Sequence, residues 1–137
     1  MTTALSFFRH RQKLLLLLGS AYVAALIVTH AALPPVHVWA IACVFSVLMN
    51  FVYIVEARAQ GRMIATETIV MVMLITASLL GLLIHPLFVI AAIFAHGLWD
   101  LAKHYGHGVP FFSWYTWGCC AVDLIYGTAL LLYWLSA

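Results

Sequence analysis

Charge is scarce in this chain. Six basic and four acidic residues, 7% of 137 positions, stand against 66% hydrophobic residues and a mean hydropathy of +1.11. A soluble domain carries about 25% charged residues to cover its surface, so a soluble fold is excluded. The formal net charge of +2 is too small to point to nucleic acid. No composition shift or long polar linker divides the chain, and one bundle spanning residues 1–137 leaves no room for a second domain. Cysteine is sparse as well. Cys43, Cys119 and Cys120 all fall in apolar runs, and the adjacent pair is not a CxxC motif, so buried thiols are expected rather than a disulfide framework.

What is present is a series of apolar runs of helical rather than barrel-strand length. Residues 1–11 read as a short basic arm, with Phe7 and Phe8 at the interface. A first span is expected over about 12–32, ended by Pro34-Pro35, and a second over about 36–57, followed by the polar turn Arg58–Arg62. A third covers about 63–84, His85-Pro86 breaks the helix, and a fourth covers about 86–104. The loop Tyr105–Pro110, with two glycines and a proline, leads into a fifth over about 111–135. Arg9, Arg11 and Lys13 ahead of the first run, with Thr29-His30-Ala31 after it, also fit a signal peptide; the run is read as a spanning helix. One kinked helix over 63–104 would reach roughly 60 Å, twice the hydrocarbon thickness. The fold class expected is therefore an all-α, polytopic bundle of five transmembrane helices.

Charge placement agrees with that count. With five spans, Arg9, Arg11, Lys13, Arg58, Arg62 and Lys103 share one side, which the positive-inside rule makes cytoplasmic. The N-terminus is then cytoplasmic, the C-terminus outside, and the location a cell membrane, the inner membrane if the source is bacterial.

Polar groups are expensive in lipid, so those within the spans need a reason. They concentrate between His96 and Asp123, in AHGLWDLAKH and FSWYTWGCCAVD. At 3.6 residues per turn, His96, Trp99, Asp100, Lys103 and His104 form one stripe, and Thr116, Cys119, Cys120, Asp123, Tyr126 and Gly127 another. The second span offers Cys43, Ser46, Asn50 and Tyr53, and the third Glu67, Ser78 and Gly81. Each stripe should face the bundle interior. His96 lies roughly 12 Å and Asp123 roughly 16–18 Å from the cytoplasmic ends, so the helices can build a polar pocket open to that side. Gly19, Gly81, Gly118 and Gly127 suit close helix approach.

Several chemistries fit. Neighbours in His96-x3-Asp100-x3-His104 can share a divalent metal, although all three cannot, because i to i+8 spans about 12 Å. His96 with Asp100, or Asp100 with His104, would recruit Asp123 and Glu67 from other helices, with Asn50 a weaker candidate. Without metal, His96 and Asp100 form an acid–base pair, with Asp123 and Glu67 as facing carboxylates, and a lipidic substrate enters sideways between walls of Trp99, Trp114, Tyr115 and Trp117. The bland alternatives are a structural polar knot tied by Trp99, Tyr115 or Tyr126, and an interfacial aromatic belt. On the opposite side, His30, His37 and His85 could meet around a metal or simply satisfy water and helix ends. Haem is disfavoured, since His96 has no histidine partner at equal depth.

At HGLWDLAKH followed by WYTWGCCAVD the chain resembles a family of small bacterial membrane proteins of unknown function with HGxWDxxHH and WYxxxCxxxD segments. The matching positions are His96, Trp99, Asp100, His104, Trp114, Tyr115, Cys119 and Asp123, with Lys103-His104 where the pattern pairs two histidines. The resemblance covers the last third of the chain and implies a shared site without supplying an activity.

The leading expectation is thus a membrane protein with a cytoplasm-facing His/Asp pocket, acting as an enzyme on a lipidic substrate. Its catalytic residues are His96, Asp100, Asp123 and Glu67; its metal ligands, if it binds one, are His96, Asp100, His104 and Asp123. The alternatives are an ion- or solute-conducting homo-oligomer using the same residues and a non-catalytic subunit of a membrane complex.

Overall fold

The computed structural model describes residues 12–109 and 113–136, with the side chains at 12, 15 and 113–116 outside the description. The basic arm carrying Phe7, Phe8, Arg9 and Arg11 lies outside it too. The described residues form helices joined by short turns, with no strand among them: α1 Gln12–His30, α2 Pro35–Met49, α3 Phe51–Gln60, α4 Ile64–Leu83, α5 Leu87–His104 and α6 Ser113–Ser136. α2 and α3 follow each other directly as one bent stretch, Pro35–Gln60. That stretch, α4, α5 and Trp117–Ser136 of α6 are each long and apolar enough to cross a membrane, and α1 adds a shorter apolar run, Leu16–His30.

The helix boundaries have local causes. Pro35 opens α2 at a position where its missing N–H is no loss. α2 and α3 meet at Asn50, whose side-chain Nδ2 donates to the Ser46 carbonyl at 2.6 Å while its own backbone N–H turns to Leu48. A side chain that takes over a helical acceptor breaks the regular ladder. α3 continues three residues past the expected end at 57. Gly61, at φ 64, stops it with an N–H to Arg58, and Arg62 N–H bonds back to Ala57, a Schellman closure that needs a left-handed residue there. The expected break at His85-Pro86 turns α4 into α5 as a tight hairpin. Gly81 meets Val89 so closely that a Cβ would find no room.

α5 is the central helix, packed by α6, α4 and α2, while α1 rests mainly on α6. The main apolar core joins Val38, Ala42 and Cys43 of α2 to Val89, Ile90 and Ile93 of α5 and to Tyr126 and Leu130 of α6. Large apolar side chains cover the outside instead, Leu17, Val28, Val55, Met73, Leu83 and Leu132 among them. This inversion of the soluble pattern is what lipid contact requires.

The expected polar stripes do face inward. Ser46, Asn50, Glu67, Ser78, His96, Asp100, Lys103 and Asp123 are all buried. Ser46 and Ser78 tie α2 to α4 through a 2.7 Å hydroxyl pair, and Ser78 donates in turn to the Leu74 carbonyl. Cys43 and Cys120 are buried and Cys119 half-buried, all three as free thiols.

Candidate functional site

His96 and Asp100 sit one turn apart on the face of α5 that looks toward α6 and the α2–α3 bend. His96 Nε2 lies 3.9 Å from Asp100 Oδ1. Asp123 arrives from α6. The approach depends on Gly97: a Cβ there would come within 3.0 Å of the Asp123 Cβ. One ligand-type atom from each of His96, Asp100 and Asp123 lies within 4.8 Å of the other two, and all three residues are buried.

The bend at Asn50 orients the imidazole. With Nδ2 committed to the Ser46 carbonyl, Asn50 presents Oδ1, an acceptor, to His96 Nδ1 at 3.0 Å. Nδ1 must therefore carry the proton, which leaves the Nε2 lone pair facing the carboxylates. One turn further along, the Tyr53 ring lies against the His96 ring with centroids 5.7 Å apart. Tyr53's phenol is close enough to Asp100 to act on it.

The result is a buried centre made of acceptors. Among the described residues, Asp123 Oδ2 receives no hydrogen bond, and the Asp100 oxygens are approached only by the Tyr53 phenol. Lys103, one turn beyond Asp100, is not free to neutralise them. Its ammonium is paired tightly with Glu67 Oε1 and sits over the Tyr53 ring, 4.1 Å from the centroid. Isolated charges inside a membrane protein need a partner, so two carboxylates around an imidazole lone pair call for shared protons or a cation.

Glu67, expected as a facing carboxylate of this centre, is placed elsewhere. Besides Lys103 it accepts from Trp99 Nε1 at 3.2 Å and from the Val109 backbone N–H at 2.7 Å. Its position explains why: Glu67 is in the first turn of α4, which meets the last turn of α5, whereas α6 lies on another side of α5. Gly108, at φ 72, lets the loop close over this pair, because a Cβ would be 2.6 Å from Glu67 Oε1 and 3.0 Å from Lys103 Nζ. His104, expected as a ligand, is also outside the centre. It accepts from Trp117 Nε1 at 3.2 Å on the half-exposed side of α5.

An apolar cavity of about 450 Å³ opens beside the centre, between α1, the α2–α3 bend and α6. His96, Asp123 and Tyr53 belong to its wall; most of the rest is aliphatic or aromatic, including Leu16, Val23, Ile27, Phe45, Met49 and Val122. The expected tryptophan walls are not its lining. Trp99 is turned to Glu67 and Trp117 to His104, while the side chains of Trp114 and Tyr115 lie outside the described residues. Gly19 lines the cavity rather than a helix contact, for a Cβ there would meet no described atom within 4 Å. Gly118 and Gly127 do serve close approach, to Leu16 and Phe94.

The outer histidines do not converge among the described residues. His30 Nε2 pairs with the Tyr126 hydroxyl at 2.8 Å in the interior, His85 packs edge-on against Trp134, and His37 is exposed. Tyr126, expected as a knot partner of His96 and Asp100, bonds His30 instead, and the Trp134 contact was not foreseen. Lys103 and Asn50 were likewise the residues whose roles sequence periodicity left open. An acid near a helix start and a base near the end of the next antiparallel helix was the available signal for Glu67–Lys103.

Comparison with protein-family models, with curated proteins and with solved structures returned no match.

Proposed function

We propose that the chain is an integral membrane enzyme acting on a lipid-soluble substrate, which lodges in the apolar cavity and meets His96, Asp100 and Asp123 at its polar wall. The arm and the Arg58–Arg62 turn lie on the cytoplasmic side, following the positive-inside rule, and the C-terminus outside. The location is a cell membrane, as a multi-pass protein.

The observation that carries this reading is the placement of His96 and Asp123 in the wall of an otherwise apolar cavity. A volume of about 450 Å³ falls in the range of ligand pockets, which combine apolar lining with a few convergent polar groups. The tautomer set by Asn50 makes His96 Nε2 the base, able to take a proton from a hydroxyl or an activated water. Asp123, on the facing wall, returns a proton to the leaving group. Asp100, whose Oδ1 lies 3.9 Å from that same Nε2, stabilises the charge the imidazole acquires.

A pore assembled by several copies around Asp123 would need that carboxylate on the outer surface. Its burial against Gly97, at 2% exposure, favours the cavity instead.

The test is conversion of membrane lipid. Purified protein in liposomes made from total membrane lipid of its source is incubated, and the lipid is analysed by liquid chromatography and mass spectrometry. Wild type should convert at least one lipid class, and Asp123→Asn and His96→Gln should reduce the rate at least 100-fold. A lipid profile identical in wild type and both variants would overturn the reading.

A further inference from the structure

We propose that His96 Nε2 and one carboxylate oxygen each of Asp100 and Asp123 hold a divalent transition-metal cation, leaving one coordination position open to the apolar cavity.

Three observations support this. The first is charge. The centre gathers two carboxylates and an imidazole lone pair, and the one cation near it among the described residues, Lys103, is ion-paired with Glu67 and acts on Asp100 only through space. A dication neutralises two carboxylates in one step and accepts the lone pair as well. Asp100 has no exposed surface and is approached by the Tyr53 phenol alone, while Asp123 Oδ2 is buried with no hydrogen bond among the described residues. Such an atom is what a ligand position looks like before the ion is added.

The second is spacing. On a tetrahedral ion with ligand bonds of about 2.0–2.2 Å, donor atoms stand about 3.4 Å apart. His96 Nε2 and Asp100 Oδ1 are at 3.9 Å, and the full set is within 4.8 Å. The distance to that spacing is about 0.5 Å for the first pair and at most about 1.4 Å for the others.

The third is the support behind the histidine. Metal-bound imidazoles donate their second ring N–H to a fixed acceptor, which sets the tautomer and the ring orientation. Asn50 supplies that acceptor at 3.0 Å and is itself anchored on the Ser46 carbonyl.

The donor set selects the ion. One imidazole and two carboxylates, with no thiolate in the group, suit zinc, manganese or ferrous iron and not cuprous copper. Three protein ligands with an open position are the arrangement of reactive rather than structural sites. His96 and Asp123 also line the cavity, so the open position faces it. With the cation bound, His96 Nε2 and Asp123 would be its ligands rather than base and acid. The cation would supply the activation instead, polarising a bound oxygen or lowering the pKa of a water there. Only this last role rests on the substrate reading given above; the binding of the ion does not.

The test measures metal and not turnover. The full chain, carrying an affinity tag without histidine, is purified in mild detergent and analysed by inductively coupled plasma mass spectrometry. About one transition-metal ion per chain is expected. After stripping with a chelator, Zn²⁺ or Mn²⁺ followed by titration calorimetry should bind at 1:1. The isosteric variants Asp100→Asn and Asp123→Asn should weaken binding at least 100-fold, and Asn50→Ala about 10- to 100-fold. His104→Ala should keep the wild-type stoichiometry, and helical circular dichroism shows which variants are folded. The proposal is overturned if wild type neither carries nor takes up either ion, which is the outcome if shared protons neutralise the centre. It is also overturned if folded Asp100→Asn and Asp123→Asn bind as wild type does. Lipid conversion without metal would remove the cation and leave the acid–base enzyme standing.

Discussion

His96 Nδ1 and Asn50 Oδ1 face each other at 3.0 Å across 46 residues of sequence, and this contact decides which nitrogen of His96 is left to react. Asn50 can play that part because the same side chain, through Nδ2, is anchored on the Ser46 carbonyl where α2 and α3 meet. The α2–α3 junction and the imidazole tautomer thus meet in one residue.

Asn50→Leu removes both roles and should straighten the α2–α3 bend, whereas Asn50→Ser keeps a hydroxyl that can accept from Nδ1. The expected outcome is at least a tenfold deeper loss of activity in Asn50→Leu than in Asn50→Ser. Lipid conversion at a common protein concentration reads the difference, and equal losses would show that the contact does not orient His96.

Gly97 and Gly19 make opposite predictions on the same helical substitution. At Gly97 an added methyl meets the Asp123 Cβ at 3.0 Å, so Gly97→Ala should push α6 off α5 and cost about 1–3 kcal/mol. At Gly19 the space is open, and Gly19→Ala should leave stability unchanged or raise it by about 0.5–1 kcal/mol through helix propensity. Thermal unfolding in detergent gives both signs.

Glu67 and Lys103 are a buried pair covered by the Gly108 loop, so removing one partner strands the other. Glu67→Gln and Lys103→Met should each destabilise, by up to about 3–5 kcal/mol where the remaining charge stays buried. The double variant should be less destabilised than the sum of the two, which a double-mutant cycle on the unfolding midpoint measures. Strict additivity would mean that the two side chains do not depend on each other.

Gly108→Ala acts on the same pair from the loop. The residue holds φ 72 and has no room for a Cβ beside Glu67, Trp99 and Lys103. Faster proteolysis between Tyr105 and Val109 than in wild type is expected, and an unchanged cleavage rate would contradict the covering role.

Much of this arrangement was legible in the sequence because lipid punishes misplaced polar groups. Helical period and the cost of burial together turned His96, Asp100 and Asp123 inward, and depth counted from the helix ends brought them to one level. Period alone does not say which neighbour a face meets. Glu67 was therefore grouped with the His96 centre rather than with Lys103, whose expected inward position, at 5% exposure, carried no hint of its partner. His104 shares the stripe of Asp100 but is turned enough to reach Trp117. The cavity walls were assigned to tryptophans by residue type, while the space itself arises where α1, resting mainly on α6, stands off the α2–α3 bend. No pattern within a single helix encodes that gap. Gly97 was overlooked beside more obvious glycines, although a glycine between a histidine and an aspartate in a spanning helix marks a close approach.

The central claim is that the cavity beside His96 and Asp123 receives a lipid-soluble ligand, and Gly19 offers the cleanest handle on it. Native mass spectrometry of protein released from mild detergent should show wild type carrying one lipid-like adduct per chain. Gly19→Phe, which fills the cavity from α1, should lose it, while Leu132→Phe on the outer surface should keep it. Wild type free of any adduct, or Gly19→Phe retaining the same adduct at the same occupancy, would contradict the account.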